Sequence, residues 1–461
     1  MLVQHFFVNG LAHSSYLLAG ENYCAIVDPR RDVEAYIDAA EALDVKITHI
    51  LETHLHADFI SGHMDLAEKT GAAIYAPKAG NCRFKHVGLA EGDSFRIDDM
   101  RISVLETPGH TPEHICYVVA DTERSEEPVG VFCGDTLFVG DVGRPDLFPG
   151  RAAELASKLF DNLHGKLLKL PDFCEVYPAH GAGSLCGRAM GAKRTSTIGY
   201  ERKNNPALQI RDKDEFIASL TTDMPAAPDH FARCSATNAA GPALVRLLPV
   251  PLPLTAEAFA ERARKQGVVV LDVRSFDAFG GQHVPGAWNI DFNGNFATFA
   301  GWTLPVDAEI LLVADNAAVV REAGVWLRRV GLDQVTGYLD GGMLSWSIAG
   351  LPTEHVAQLS PQELRQMIDS SSKAVLVDVR ARQEFEALSI PGAINIPAPD
   401  LRARHAELPK DRTVAVICST GMRSSLAASI LQRNGFRDVR NVAGGMNGYA
   451  AAGFAPTGAG A

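Results

Sequence analysis

The sequence predicts an α/β multidomain protein, and three observations carry that prediction. Strand-like and helix-like segments alternate along most of the 461 residues. In the N-terminal half, several strand-like runs end in a histidine or an aspartate. In the C-terminal half one stretch is written twice, as VVVLDVRSFDAFGGQHVPGAWNI at 268–290 and AVLVDVRARQEFEALSIPGAINI at 374–396. At roughly 100–200 residues per domain the length allows about three domains. A hydrophobic content of 46% with 21% charged residues supports full-sized cores. The net charge of −12 argues against non-specific binding to nucleic acid or an anionic membrane, since each would repel the chain. No apolar run is long enough to span a bilayer, and the opening MLVQHFFVNGLAHSS lacks the basic and then apolar character of a secretion signal. The eight cysteines are scattered without a Cys-x-x-Cys pair, which fits reduced thiols and a cytoplasmic location.

The elements follow in order. Residues 4–8, 15–18 and 23–27 read as strands, and 32–43 as a helix from the spacing of Val33, Tyr36, Ile37 and Ala40. The strand at 47–51 runs into His54-Leu-His56-Ala-Asp58, and Ser61-Gly62 then opens a helix near 64–69. A short strand at 73–75 and a polar hairpin at 91–99 come next. The strand at 101–105 ends in Thr107-Pro108-Gly109-His110, and of the strands at 115–120 and 129–133 the second ends in Gly134-Asp135. An amphipathic helix at 152–168 precedes a strand at 174–177 that ends in Pro178-Ala179-His180. One histidine after a strand is ordinary loop chemistry. Four strand ends of one domain carrying imidazoles or carboxylates point to a cleft that binds a metal ion.

THLHADFISGH, the TPGHT loop, GDTLFVGDVGRPD and YPAHG, in this order and spacing, resemble the metallo-β-lactamase fold. Within it they are most similar to the persulfide dioxygenases, relatives of the glyoxalase II hydrolases. The resemblance spans roughly residues 1–240 and implies an αββα sandwich with the metal at one edge. Hydrolases of this fold hold two metals, the second through an aspartate and the histidine directly after it. Here Phe59 follows Asp58; a phenyl ring has no lone pair to give, so one metal is expected. The likeness to the dioxygenases implies one Fe(II) per chain on His54, His110 and Asp135, a face with open positions. His56, Asp58 and His180 are then orienting groups or alternative ligands, with plain loop hydrogen bonding as their other reading. The implied reaction takes a low-molecular-weight persulfide (of glutathione, coenzyme A or a similar thiol) and O2 to sulfite and the thiol. Arg144 either faces the substrate's charge or sits in a surface salt bridge. Cys186, six residues after His180, is read as a buried structural thiol in preference to a persulfide carrier. Residues 187–245 are assigned no chemistry.

RLLPVPLPL at 246–254 reads as a proline-punctuated linker. The repeat that follows has a period of a little over 100 residues, too long for a solenoid unit, so it marks two homologous domains. Gly341-Gly342-Met343 of the first matches Gly444-Gly445-Met446 of the second. Each copy resembles the rhodanese fold, with a parallel sheet implied by strand–helix alternation. In the second, a strand at 413–417 ends in Cys418-Ser-Thr-Gly-Met-Arg423-Ser424, and an apolar-periodic helix follows. Backbone N–H groups and a helix N-terminus there stabilise a thiolate and a bound anion, and Arg423 adds a forked donor. The six residues from cysteine to arginine match the rhodanese active loop; cysteine phosphatases have a longer one, so a persulfide sulfur suits this loop better than a phosphate. In the first copy Ala314 stands opposite Cys418 and Val319 opposite Arg423, so that copy is expected to be inactive.

The expected organisation is therefore 1–245 dioxygenase domain, 246–254 linker, 255–355 inactive rhodanese-like domain and 356–461 active rhodanese domain. A persulfide on Cys418 would pass sulfur to sulfite, giving thiosulfate, or the transfer would run from thiosulfate. Expected partners are the small persulfide, O2 and sulfite or thiosulfate, with no nucleic acid and no membrane; a homo-oligomer is compatible with all of this. The alternative is a glyoxalase II-like zinc thioester hydrolase with regulatory rhodanese domains. A redox-sensing scaffold that only stores sulfur on Cys418 is the reading outside enzymology.

Overall fold

The computed structural model describes residues 1–461 except 223, 225, 371, 372, 455 and 457–461. It falls into two compact units, Met1–Leu248 with Arg328–Gly331, and Pro249–Leu327 with Leu332–Ala461.

The first unit is an αββα sandwich. One sheet has six strands in sequential order: β1 (Leu2–Val8), β2 (His13–Ala19), β3 (Tyr23–Val27), β4 (Lys46–Leu51), β5 (Ala73–Pro77) and β6 (Val87–Leu89). The other runs in reverse order from β12 (Ser196–Thr197) through β11 (Glu175–Pro178), β10 (Gly130–Gly134), β9 (Ile115–Asp121) and β8 (Met100–Glu106) to β7 (Ser94–Ile97). Side chains alternate between strand faces, and the packing follows that period of two. Leu18, Ala25, Val27 and Leu51 of the first sheet meet Ile102, Val104, Tyr117 and Val119 of the second in the central layer. Their neighbours Leu17, Ile26 and Ile50 point outward onto α1 (Glu34–Ala42) and α2 (His63–Thr70), through Tyr36, Ala40 and Leu66. On the far side Cys116, Val118, Val131 and Val176 pack with Leu159 and Leu163 of α3 (Ala152–Gly165). After β12 come α4 (Ile198–Asn204), α5 (Pro206–Gln209), α6 (Lys213–Thr221) and α7 (His230–Ala240). The helix expected over 152–168 stops at Gly165, and a 3-10 turn takes Leu167–Lys169. The exposed edge strand β6 carries too short an apolar pattern to be read from sequence.

The second unit holds two five-stranded parallel sheets, one per copy of the repeat. The first has the order β13 (Leu252–Leu254), β17 (Val335–Leu339), β16 (Glu309–Val313), β14 (Val268–Asp272), β15 (Trp288–Asn289). The second repeats it as β18 (Ala357–Leu359), β22 (Val439–Val442), β21 (Val414–Ile417), β19 (Val375–Asp378), β20 (Ile394–Asn395). Helices α8 (Ala256–Ala263), α9 (Phe276–Gly281), α10 (Phe296–Thr303), α11 (Ala317–Arg329) and α12 (Gly342–Ile348) connect the first set. In the second set α13 (Pro361–Asp369), α14 (Arg382–Ala387), α15 (Leu401–Arg404), α16 (Met422–Arg433) and α17 (Gly445–Ala451) do so.

The words shared by the two copies are structural. In Asp-Val-Arg the arginine folds back on the aspartate two residues before it: Arg274 Nη2 lies 2.5 Å from Asp272 Oδ2, and Arg380 Nη2 2.6 Å from Asp378 Oδ2. The asparagine of the x-NI word then ties both ends of that turn. Asn289 Nδ2 donates to the carbonyls of Asp272 and Arg274, and Asn395 Nδ2 to those of Asp378 and Arg380. These mutually satisfied groups, fully buried in the first copy and partly buried in the second, tie the end of the β14 and β19 strands to the turn that follows.

Candidate functional site

The four strand endings converge in the first unit. His54 lies three residues past β4, His110 four past β8, Asp135 directly past β10 and His180 two past β11, and all are buried. His110 Nε2 stands 3.3 Å and His54 Nε2 3.8 Å from Asp135 Oδ2. These same three atoms lack any hydrogen-bond partner. A buried acceptor left unsatisfied costs about 1–3 kcal/mol, so three of them aimed at one point describe a cation site. The donor set of two imidazoles and one carboxylate fits a divalent transition metal.

Hydrogen bonds from behind fix which ring nitrogen faces that point. His54 Nδ1–H donates to Thr53 Oγ1 at 2.9 Å, and the Thr53 hydroxyl donates on to Asp28 Oδ2 at 2.9 Å. His110 Nδ1–H donates to the carbonyl of Arg144 at 2.8 Å. Both rings therefore present an unprotonated Nε2. Burial keeps both imidazoles neutral by lowering their pKa, the state a metal requires. Asp135 is held from its backbone: its N–H donates to His114 Nε2 at 3.0 Å, and burial drops the His114 pKa to about 3. Gly134 before it has φ 51°, and a Cβ there would meet His114 Nε2 at 2.4 Å and Thr53 Oγ1 at 2.6 Å. Only glycine lets the strand turn so close to both supports.

The remaining predicted residues surround this point. His180 bridges two carboxylates, Nδ1 to Asp135 Oδ1 and Nε2 to Asp58 Oδ2, each at 2.8 Å. Burial alone would lower its pKa, but the charges of Asp135 and Asp58 raise it well above the ordinary value. Burial would raise the Asp135 carboxyl, and the charge of His180 pulls it well below. His56 turns Nε2 toward Asp28 Oδ1 at 3.1 Å and Glu52 Oε2 at 3.9 Å. Phe59 is fully buried, its ring 4.5 Å from that of His56 and 4.0 Å from that of His13. The Cys186 sulfur lies in a group with Asp58 and His180, their donor atoms all within 4.8 Å of one another. Burial, with Asp58 and Asp135 adding to it, pushes that thiol's pKa well up. Arg144 is not at the surface. Its guanidinium is buried and bidentate to Asp146 at 2.7 and 2.8 Å, and its Nη1 donates to the Leu185 carbonyl.

Sequence reading missed Asp28, Thr53 and His114 as supports, and Asn238 in the stretch given no chemistry. Asn238 Nδ2 donates to the carbonyls of His56 and Phe59, and its Oδ1 accepts from the N–H of Ser61, all at 2.9 Å. One side chain of α7 thus clips both sides of the histidine loop.

In the second unit, Cys418 follows β21 and is 1% exposed. Its Sγ accepts from the Gly421 N–H at 3.1 Å and from the Ser424 hydroxyl at 3.3 Å. The GG-M word closes beneath it: the Met446 N–H donates to the Cys418 carbonyl at 2.7 Å, and a Cβ on Gly445 would stand 2.3 Å from that oxygen. Arg423 is braced by a residue the sequence reading did not single out. Its Nη1 and Nη2 reach the two oxygens of Glu384 at 2.6 and 2.8 Å, and Nη2 also donates to Ser419 Oγ. In the first copy both members of that pair are gone, Ala278 standing for Glu384 and Val319 for Arg423. The superposable turns (Val273 N–H to Val313 O, Val379 N–H to Ile417 O, each 2.9 Å) confirm that Ala314 occupies the place of Cys418. Asn316 fills the emptied loop, its Oδ1 accepting from the N–H groups of Ala318 and Val319 at 2.9 and 3.1 Å. Among the described residues no helix is long and apolar enough to cross a membrane.

Comparison with known proteins places these sites in families. A family model of the metallo-beta-lactamase superfamily matches residues 8–180, and the rhodanese-like domain matches twice, at 255–349 and 360–452. A hydroxyacylglutathione hydrolase of Rhizobium johnstonii is 32% identical over 268 residues, covering 54% of this chain and 96% of the relative. A metallo-beta-lactamase crystal structure from Staphylococcus aureus is 34% identical, with a TM-score of 0.67, and covers 74% of this chain and 98% of that one. ETHE1 from Myxococcus xanthus is 28% identical over 52% of this chain and 99% of its own, with a TM-score of 0.46. From the strand-end cluster and these matches, the chain belongs to the metallo-β-lactamase superfamily and carries two rhodanese-like domains behind that domain.

Proposed function

We propose that the first unit oxidises a low-molecular-weight thiol persulfide with O2 in dependence on one Fe(II), and that the second transfers sulfur through Cys418. One observation carries the first half. His54 Nε2, His110 Nε2 and Asp135 Oδ2 are partnerless and lie together, within 3.3 and 3.8 Å of the carboxylate oxygen, while His180 already bridges Asp58 and Asp135 and Phe59, beside Asp58, offers no lone pair. A single ferrous ion on a two-histidine, one-carboxylate face would supply the redox chemistry that couples O2 to sulfur. The protein's own part is to present both imidazoles in one tautomer, to keep Asp135 ionised through His180, and to hold the cleft's supports dry. The reaction balances as one persulfide anion, O2 and water giving thiolate, sulfite and two protons. In the second unit, sulfite would take the outer sulfur of a Cys418 persulfide; the S–S bond breaks, its electron pair stays on Sγ, and thiosulfate leaves. The same exchange run backwards loads Cys418 from thiosulfate.

A thioester hydrolase is the second reading. The Rhizobium relative's name favours it, as does the grouping of Asp58, His180 and Cys186. Oxygen-electrode assays of the purified chain with glutathione and coenzyme A persulfides, run beside elemental analysis, separate the two. The dioxygenase reading expects about one iron per chain and O2 uptake matched by sulfite. Two zinc ions with anaerobic thioester turnover would overturn it.

A further inference from the structure

The second histidine of the His54-Leu-His56 stretch stands outside the group that His54, His110 and Asp135 make. It falls in a separate buried group with Asp28 and Glu52, the three donor atoms all within 4.8 Å of one another. We propose that this group holds a second divalent cation, a structural zinc ion behind the histidine loop, with His63 beside it. The proposal goes beyond the reaction assigned to the first unit and does not depend on it.

The spacings are those of a coordination shell. His56 Nε2 stands 3.1 Å from Asp28 Oδ1 and 3.9 Å from Glu52 Oε2, and His63 Nδ1 stands 3.5 Å from Glu52 Oε1. Four ligands at about 2.0–2.1 Å around a tetrahedral zinc lie roughly 3.3 Å from one another. The hydrogen bonding leaves these donors unused. Both ring nitrogens of His56 and both of His63 are buried without a hydrogen-bond partner, although each imidazole brings two polar atoms that a dry interior must satisfy. A mixed set of imidazoles and carboxylates suits zinc.

The group is also braced and closed. Asp28 follows β3, Glu52 follows β4 and His63 opens α2, so one ion would tie three elements to the loop that carries His54. Each carboxylate is held from outside the group, Asp28 by the Thr53 N–H at 2.8 Å and Glu52 by the Ser61 hydroxyl at 2.5 Å. Supports of this kind fix the oxygens of metal ligands. All four side chains are buried. A closed set of protein donors marks a structural zinc rather than a catalytic one, and an enclosed ion enters as the chain folds. A proton carried by His56 between the two carboxylates is the alternative occupant, and metal content tells the two apart.

The test is elemental analysis of the full chain, purified from cells supplied with iron and zinc and dialysed free of loose ions. Wild type should carry two ions per chain. His54→Ala combined with His110→Ala, which leaves the outer site one ligand, should keep one zinc, and Glu52→Gln alone should lose that zinc. X-ray absorption on the double variant should show only nitrogen and oxygen neighbours. A zinc–sulfur distance of about 2.3 Å would place the ion on Asp58, His180 and Cys186 instead and overturn the proposal. A double variant free of zinc, the result a proton on His56 predicts, would overturn it as well, as would a zinc retained in folded Glu52→Gln. The absorption measurement needs no change at Glu52, so it stands if Glu52→Gln does not fold. One ion in wild type with O2 uptake intact would remove the inner site and leave the oxidation reading in place. Two ions, one of them the inner zinc, without O2 uptake would do the reverse.

Discussion

Thr53 makes the tautomer of His54 a property of the sequence. Its hydroxyl accepts from His54 Nδ1–H and donates to Asp28, a carboxylate that also takes the Thr53 N–H at 2.8 Å. Valine keeps the shape of threonine and removes only the hydroxyl. Thr53→Val should therefore leave the fold intact and weaken metal binding about 10–100-fold, the usual effect of losing a partner behind a ligand. Titration against a chelator measures this, and an unchanged affinity would show that Asp28 and Thr53 do not govern the ring. The residue scale also shows what a single sequence reveals. His54, His110, Asp135 and His180 were legible as residues following strands, and the resemblance to the dioxygenases, not the pattern, chose the first three as a set. Asp28, Thr53 and Glu384 were not, because a hydrogen-bond acceptor two shells from the chemistry looks like any polar loop residue. Arg144 was legible as a landmark but ambiguous in role, and its buried pair with Asp146 depends on backbone turns that spacing does not encode.

At the scale of elements, the period of two in the strands and the 3.6-residue period in α1 and α3 made the individual elements readable, and the family resemblance supplied their arrangement as a sandwich. The ends of elements were less so, as Gly165 cutting α3 short illustrates. The clearest loss was α7. Its sequence, HFARCSATNAA, has no pattern that points to a loop about 180 residues earlier, and long-range pairing leaves no local trace. Yet Asn238 on that helix closes three hydrogen bonds on the loop between His56 and Ser61. Replacing it leaves two carbonyls and one N–H of that loop without partners, at about 1–3 kcal/mol for each buried group that finds no water. Asn238→Ala should lower Tm by several degrees, given about 2–4 °C per kcal/mol for a unit of this size. It should also speed exchange of the Ser61 amide hydrogen while leaving that of the β9 core unchanged. Equal exchange in variant and wild type would mean that the helix only covers the loop.

At the scale of the whole molecule, two families with unlike chemistry share one chain, and a repeat inside the second has kept its nucleophile in one copy only. The repeat itself was plain in the sequence, because the Asp-Val-Arg and x-NI words serve the turn that both copies need. What the cysteine-less copy contributes was hidden, since the hydrogen bonds that join it to the active copy, such as Ser425 to Asn289, leave no local pattern. If each unit holds its own chemistry, a lesion in one should spare the other. His110→Ala removes a partnerless ring nitrogen from the first unit and touches nothing that holds Cys418, so iron content and O2 uptake should fall to background while transfer from thiosulfate continues at its wild-type rate. Cys418→Ser should keep iron and O2 uptake but end on sulfite, because no persulfide forms to convert it to thiosulfate. Ion chromatography of the products with O2 recorded in parallel reads both at once. Loss of both activities in either folded variant would mean that sulfur passes between the units on an obligatory path, and the separation argued from the two sites would be wrong.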